Sequence, residues 1–203
     1  MPKLGFKLFF IGFNKCGTRS LHRYLTGCGI NAYHAGAHAD MHQAILINVV
    51  RGMPALSGVD DYDAYLDVRA IQSQFRHLDR DYPGSKFVFN VRDTNRWILS
   101  RLNHINGRYV DLMNLYYGLE LSWTEWADRW RHEFAAHERA VTAHFRDRPS
   151  DFLRFDVERD SPDALVAFIG VPPPETRDEL PRLGVTAKKH FAFDGDRIVK
   201  LSL

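Results

Sequence analysis

Short unbroken apolar runs alternate along this chain with stretches in which apolar residues recur at helical spacing. The first run, Lys7-Leu8-Phe9-Phe10-Ile11, reads as a strand buried on both faces. Leu21, Tyr24, Leu25 and Cys28 then fall at i, i+3, i+4 and i+7 and predict a helix, ended by Gly27 and Gly29. Ile30–His34 predicts a short second strand, and His38–Val50 a helix closed by Gly52 and Pro54. Ala64–Val68 reads as a third strand. A helix on Ile71, Phe75, Leu78 and Tyr82 follows, and Pro83-Gly84 stops it. The clearest run, Lys86–Val91, is a fourth strand and leads into a helix within Arg92–Ser100. Ser122–Arg146 predicts one long amphipathic helix with the stripe Trp123, Trp126, Ala127, Trp130, Phe134, Val141 and Phe145, which serves as core or as an interface. Phe152–Val157 is the fifth strand. Ser161 then caps a short helix, with Pro162 at its first position and Gly170 just past its end. From Glu175 to Leu203 the chain is polar and basic with little periodicity.

Strands alternating with helices predict an α/β fold: a three-layer sandwich with a central, mostly parallel sheet of about five strands. Residues 1–203 read as a single domain. Ligands of such folds bind beyond the carboxyl ends of the strands. That rule brings Lys15, His34, Asp67 and Arg92 to one rim, because each sits at or just after a predicted strand end.

Composition narrows the partners. A net charge of +2 is too small to point to nucleic acid. No apolar stretch approaches the ~20 residues of a membrane span. The apolar start runs into a Gly-containing loop and reads as a first strand, not as a secretion signal. The two cysteines, Cys16 and Cys28, form no disulfide framework, so a reducing, cytoplasmic setting is expected.

The chemistry centres on Gly12-Phe13-Asn14-Lys15-Cys16-Gly17-Thr18-Arg19-Ser20, between the first strand and the first helix. Glycines that turn backbone N–H groups inward, followed by a helix N-terminus, make a phosphate-binding loop, and the expected fold is P-loop NTPase-like. Gly12 and Gly17 have the spacing of the triphosphate motif G-x-x-x-x-G-K-[ST]. Thr18 stands where its Lys belongs, however, and Arg19 where its magnesium-binding hydroxyl belongs. The Lys has moved inside the loop, to Lys15, and a cation in place of the magnesium ligand points to an anion bound without metal. Cys16 beside a helix N-terminus invites a reactive thiolate, but a small residue that fits a tight loop explains it better. A second anion site is suggested by Arg92 at a strand end and Ser100 two helical turns on.

Together these segments resemble the sulfotransferases that use 3′-phosphoadenosine 5′-phosphosulfate (PAPS). Lys15-Cys16-Gly17-Thr18-Arg19-Ser20-Leu21 matches that family's 5′-phosphosulfate pattern K-x-G-T-x-x-L, with Asn14 in place of the usual Pro. Arg92, Asp93 and Ser100 match its 3′-phosphate motif, with Thr94 for the frequent Pro and Trp97 where many members carry Arg. Phe155-Asp156-Val157 and Ile169-Gly170-Val171-Pro172 are similar to its last strand and helix, so the resemblance covers roughly residues 7–172. The Arg- and Gly-rich loop that covers the 3′-phosphate in cytosolic members has no counterpart here beyond Lys188 and Lys189.

The resemblance implies metal-independent, in-line transfer of a sulfuryl group from PAPS to a hydroxyl or amine of a small-molecule, lipid or carbohydrate acceptor. Lys15 would stabilise the leaving oxygen. Asn14, Lys15, Cys16, Gly17, Thr18, Arg19 and Ser20 would line the 5′-phosphosulfate, and Arg92 and Ser100 the 3′-phosphate. An acceptor hydroxyl needs a base. His34 is the first choice, Asp67 its rival and His38 third. His34, His38 and His42 recur every four residues and would share a face on one helix as a zinc site, but Gly36 and the strand end argue against that helix. The competing readings are a P-loop kinase or nucleotide hydrolase and a catalytically inactive nucleotide-binding module. Tyr116, Tyr117, Trp123 and Trp126 suit a sugar-stacking pocket or the core equally, and the aromatic long helix is a candidate homodimer interface.

Overall fold

The computed structural model describes residues 4–34, 40–104, 108–175, 180–181 and 189–201. The chain begins with β1 (Leu8–Phe10), a loop, and α1 (Thr18–Gly27). β2 (Ala32–His34) and α2 (Asp40–Val50) follow, then β3 (Ala64–Leu66) and two short helices, α3 (Arg69–Ser73) and α4 (Phe75–Asp81). β4 (Lys86–Val91) leads to α5 (Thr94–Leu102), α6 (Tyr109–Tyr117) and the long α7 (Trp123–His144). β5 (Phe152–Asp156) and α8 (Pro162–Ile169) come next, and β6 (Phe191–Asp194) and β7 (Arg197–Lys200) come last.

Two compact units result. The first draws on Met1–Val91 and Phe145–Leu183, the second on Arg92–His144 and Gly184–Leu203. The first unit is built on a five-stranded sheet of order β2-β3-β1-β4-β5, every pair parallel. β1 is the middle strand and covered on both faces, which is why its run is apolar without alternation. Leu8, Phe10, Leu66, Val88 and Phe155 face Leu21, Tyr24 and Leu25 of α1 and Leu165, Val166 and Ile169 of α8. The alternate residues turn the other way. There Phe9 stacks on Tyr65 at 5.7 Å and meets Tyr82, in the residue after α4, at 6.1 Å. Phe145 lies on the same side, 4.7 Å from Phe87 and 6.2 Å from Phe75 of α4. Helices on both faces of one sheet make the three layers the alternation predicts. Each large ring fully buried in them stabilises the fold by about 1.5–3 kcal/mol.

The second unit packs α5 against α6, α7 and the antiparallel β6-β7 hairpin. Arg101 of α5 is 8% exposed. Its guanidinium lies over Trp130 (4.3 Å), Trp97 (4.9 Å) and Tyr109 (5.5 Å), and Nη2 donates to the Tyr109 hydroxyl at 3.2 Å. Asn103, at the end of α5, donates to the Leu99 carbonyl at 2.7 Å and accepts from the N–H groups of His190 and Phe191, the latter at 3.1 Å. One buried amide thus ties the start of the hairpin to α5.

Three expectations need correcting. The helix over Ile71–Tyr82 is two, interrupted at Gln74, whose φ of −104° and ψ of 23° leave the helical region. The aperiodic tail contains the hairpin, in which Gly195-Asp196 forms the two-residue turn. α6 was not expected at all. The stripe of α7, by contrast, is core: Trp126, Trp130, Phe134 and Val141 are buried.

Candidate active site

The loop between β1 and α1 is folded by two left-handed residues, Lys15 (φ 65°) and Gly17 (φ 72°). Gly17 is the N-cap of α1, and the helix ladder opens with the Leu21 N–H donating to its carbonyl at 2.9 Å. Helix geometry therefore presents the N–H groups of Thr18 and Arg19 at the site, where the helix dipole favours an anion. Thr18 and Ser20 are buried, Asn14 and Lys15 half-buried, and the Arg19 side chain points to solvent. Cys16 is fully buried, as expected of a small residue packed into a tight loop.

Three strand ends meet around this loop. His34, the last residue of β2, places Nε2 3.1 Å from Thr18 Oγ1 and 3.6 Å from Asp67 Oδ2. Asp67 directly follows β3 in a left-handed conformation (φ 59°). Burial pushes its carboxyl up to about 6, and the Lys15 ammonium opposes that rise. His22 of α1 packs on the His34 ring at 5.6 Å and donates from Nε2 to the Ala32 carbonyl at 3.0 Å. The parallel sheet therefore brings Lys15, Thr18, His34 and Asp67 together from β1, β2, β3 and α1.

The second predicted motif belongs to the second unit. Arg92 continues directly from β4, and Ser100 lies within α5. Asp93 caps α5 by accepting from the Arg96 N–H at 2.9 Å. His38 and Lys188 lie outside the described residues, whereas Lys189 is exposed beside the segment that Asn103 holds. His34 ends a strand and His42 lies on α2, so these two do not share the single helix a zinc site would need. Among the described residues no cluster of His, Cys, Asp or Glu is able to hold a metal ion, and no helix is long and apolar enough to cross a membrane.

One residue of the site was missed. Asn90 of β4 is fully buried, accepts from the Gly12 N–H through Oδ1 at 3.1 Å and donates from Nδ2 to the Cys16 carbonyl at 2.9 Å. The available signal was a lone amide inside Phe87-Val88-Phe89-Asn90-Val91, because a polar group buried in a strand needs partners.

A search of curated proteins finds no match. The model of the sulfotransferase domain matches residues 7–132, from the strand before the loop into α7. That span is more than half of the chain and contains the loop, His34, Asp67, Arg92 and Ser100. On that match the chain belongs to the sulfotransferase family.

Proposed function

We propose that the protein transfers the sulfuryl group of PAPS to a hydroxyl or amine of a small-molecule, lipid or carbohydrate acceptor, without a metal ion. The observation that carries this reading is the meeting of a loop lysine, a loop hydroxyl and two proton-accepting groups at three adjacent strand ends. Anion grip, charge stabilisation and a base are what in-line sulfuryl transfer needs. The N–H groups of Gly17, Thr18 and Arg19, with the Thr18 and Ser20 hydroxyls, hold the 5′-phosphate. Lys15 meets the charge that develops as the bond between sulfur and the bridging oxygen breaks. His34 and Asp67 act as one proton-accepting pair: the acceptor proton passes to them as the new bond to sulfur forms. An Asp with its carboxyl near 6 and a His ring both suit proton transfer near neutral pH. The bisphosphate nucleotide departs. Arg92 and Ser100 are assigned to its 3′-phosphate on motif order.

Release of 3′-phosphoadenosine 5′-phosphate from PAPS, followed by chromatography in the presence of phenols, alcohols, amines and oligosaccharides, tests the reading. Release that an acceptor accelerates and that Lys15→Ala abolishes supports it. Intact PAPS alongside magnesium-dependent ATP turnover would show a kinase or nucleotide hydrolase instead.

A further inference from the structure

We infer that Asn90 is a positioning residue for the sulfotransfer reaction, holding the loop so that Lys15 stands at the leaving oxygen. The inference rests on the reading above. The carboxamide uses both of its functions on the loop, taking the Gly12 N–H and giving to the Cys16 carbonyl. These two bonds bracket the turn that contains Lys15, and the second fixes the residue immediately after it.

The loop lies flat on this side chain. A Cβ at Gly12 would come within 2.1 Å of the Asn90 backbone oxygen and 2.5 Å of its Oδ1. Lys15 is left-handed, a conformation that costs an L-residue about 1–2 kcal/mol and persists only where the surroundings enforce it. Asn90 holds the residue directly after Lys15, through the Cys16 carbonyl.

The pattern of β4 alone does not ask for an amide here. Phe87, Val88, Phe89 and Val91 fill the neighbouring positions of β4 and are fully buried, and an apolar residue at 90 would continue that pattern. The polar group is present for the loop. Because β4 is paired with β1 over Lys86–Val88 and with β5 over Phe87–Val91, Asn90 also references the loop to the sheet and not to another loop.

The test uses Asn90→Leu, which removes both bonds at similar volume, and Asn90→Thr, which suits a strand and keeps a polar group, in case the first does not fold. Two readouts are taken. In the first, the rate of PAPS consumption at saturation falls about 10–100-fold in Asn90→Leu, as misplacement of a catalytic group by about 1 Å does. Combined with Lys15→Ala it falls no further than with Lys15→Ala alone, because the two act through one group. In the second, the Asp67 carboxyl, followed by carbon NMR without any nucleotide, titrates higher in Asn90→Leu, moving toward its value in Lys15→Ala. Full additivity of the two substitutions, or an Asp67 titration unchanged in Asn90→Leu and Asn90→Thr, would overturn the inference. A wild-type protein that leaves PAPS intact would defeat the functional reading, and the NMR titration then decides the role of Asn90 separately.

Discussion

His34 Nε2 and Asp67 Oδ2 stand 3.6 Å apart although His34 ends β2 and Asp67 follows β3, two strands paired in parallel register with His34 opposite Leu66. The carboxyl in this pair holds its proton more tightly in the folded protein than in the unfolded chain, because burial raises it from 3.8 to about 6. The folded state therefore binds more protons across that interval, and stability falls as the pH rises from about 4 to about 6. Asp67→Asn removes the titration and tolerates the left-handed backbone. We expect the variant to match wild type below pH 4 and to exceed it by about 1–2 kcal/mol above pH 7, after allowance for the part of Asp67 that water reaches. Denaturant melts at pH 4, 5, 6 and 8 measure this. A difference that does not change with pH would contradict the account of Asp67.

Lys15 carries both charge and backbone strain, and two substitutions separate them. Lys15→Gly relieves a left-handed conformation that costs about 1 kcal/mol or more, so its melting temperature stays at or above that of wild type. Lys15→Ala gains nothing. Both lose about 10²–10³-fold in the rate of sulfuryl transfer, the usual cost of removing a group aimed at developing charge. A Lys15→Gly protein that keeps its activity would remove Lys15 from the chemistry.

The loop tolerates no side chain at its first glycine. Gly12→Ala would bring Cβ within 2.1 Å of a backbone oxygen of β4, and we expect a loss of about 1–3 kcal/mol or more, with nucleotide binding lost as well. Gly17→Ala meets Val157 at 3.1 Å and keeps the left-handed φ, so its cost should stay near about 1–2 kcal/mol. Thermal unfolding of the two variants side by side reads the order, and a Gly17→Ala protein less stable than Gly12→Ala would reverse it.

Arg101 is a cation held by rings. Its Nε and Nη1 have no hydrogen-bond partner, and no carboxylate pairs with it among the described residues. Stacking on an aromatic face is worth about 0.5–2 kcal/mol, which burial of the charge largely offsets. Arg101→Met, similar in length and apolar, should fold with stability within about 1 kcal/mol of wild type or above it, whereas Arg101→Ala leaves a cavity and loses about 2–4 kcal/mol. Equal losses in both variants would mean that the charge itself stabilises the unit.

Much of the fold was legible because its signals are local. Lys86–Val91 is bounded as a strand by Gly84 on one side and Arg92-Asp93 on the other, and β4 has those limits. Ser161, Pro162 and Gly170 marked α8, and the structure shows Ser161 accepting from the Asp163 N–H at 3.2 Å. The break at Gln74 carries no glycine or proline and so left no mark. The tail hairpin did leave one, Asp194-Gly195 between Phe193 and Ile198, but strands of four residues give too little alternation to stand out. Lys15, His34 and Asp67 could be placed near one rim because each sits at or after a strand end. Asn90 was not, because its partners, Gly12 and Cys16, come from the neighbouring strand's loop and only the β1-β4 pairing brings them together.

The most direct test of the central claim is calorimetric titration with 3′-phosphoadenosine 5′-phosphate and with ATP, each with magnesium and with a chelator. The account predicts tight binding of the bisphosphate that is indifferent to magnesium and is lost in Arg92→Ala. Preferential, magnesium-dependent binding of ATP would contradict it.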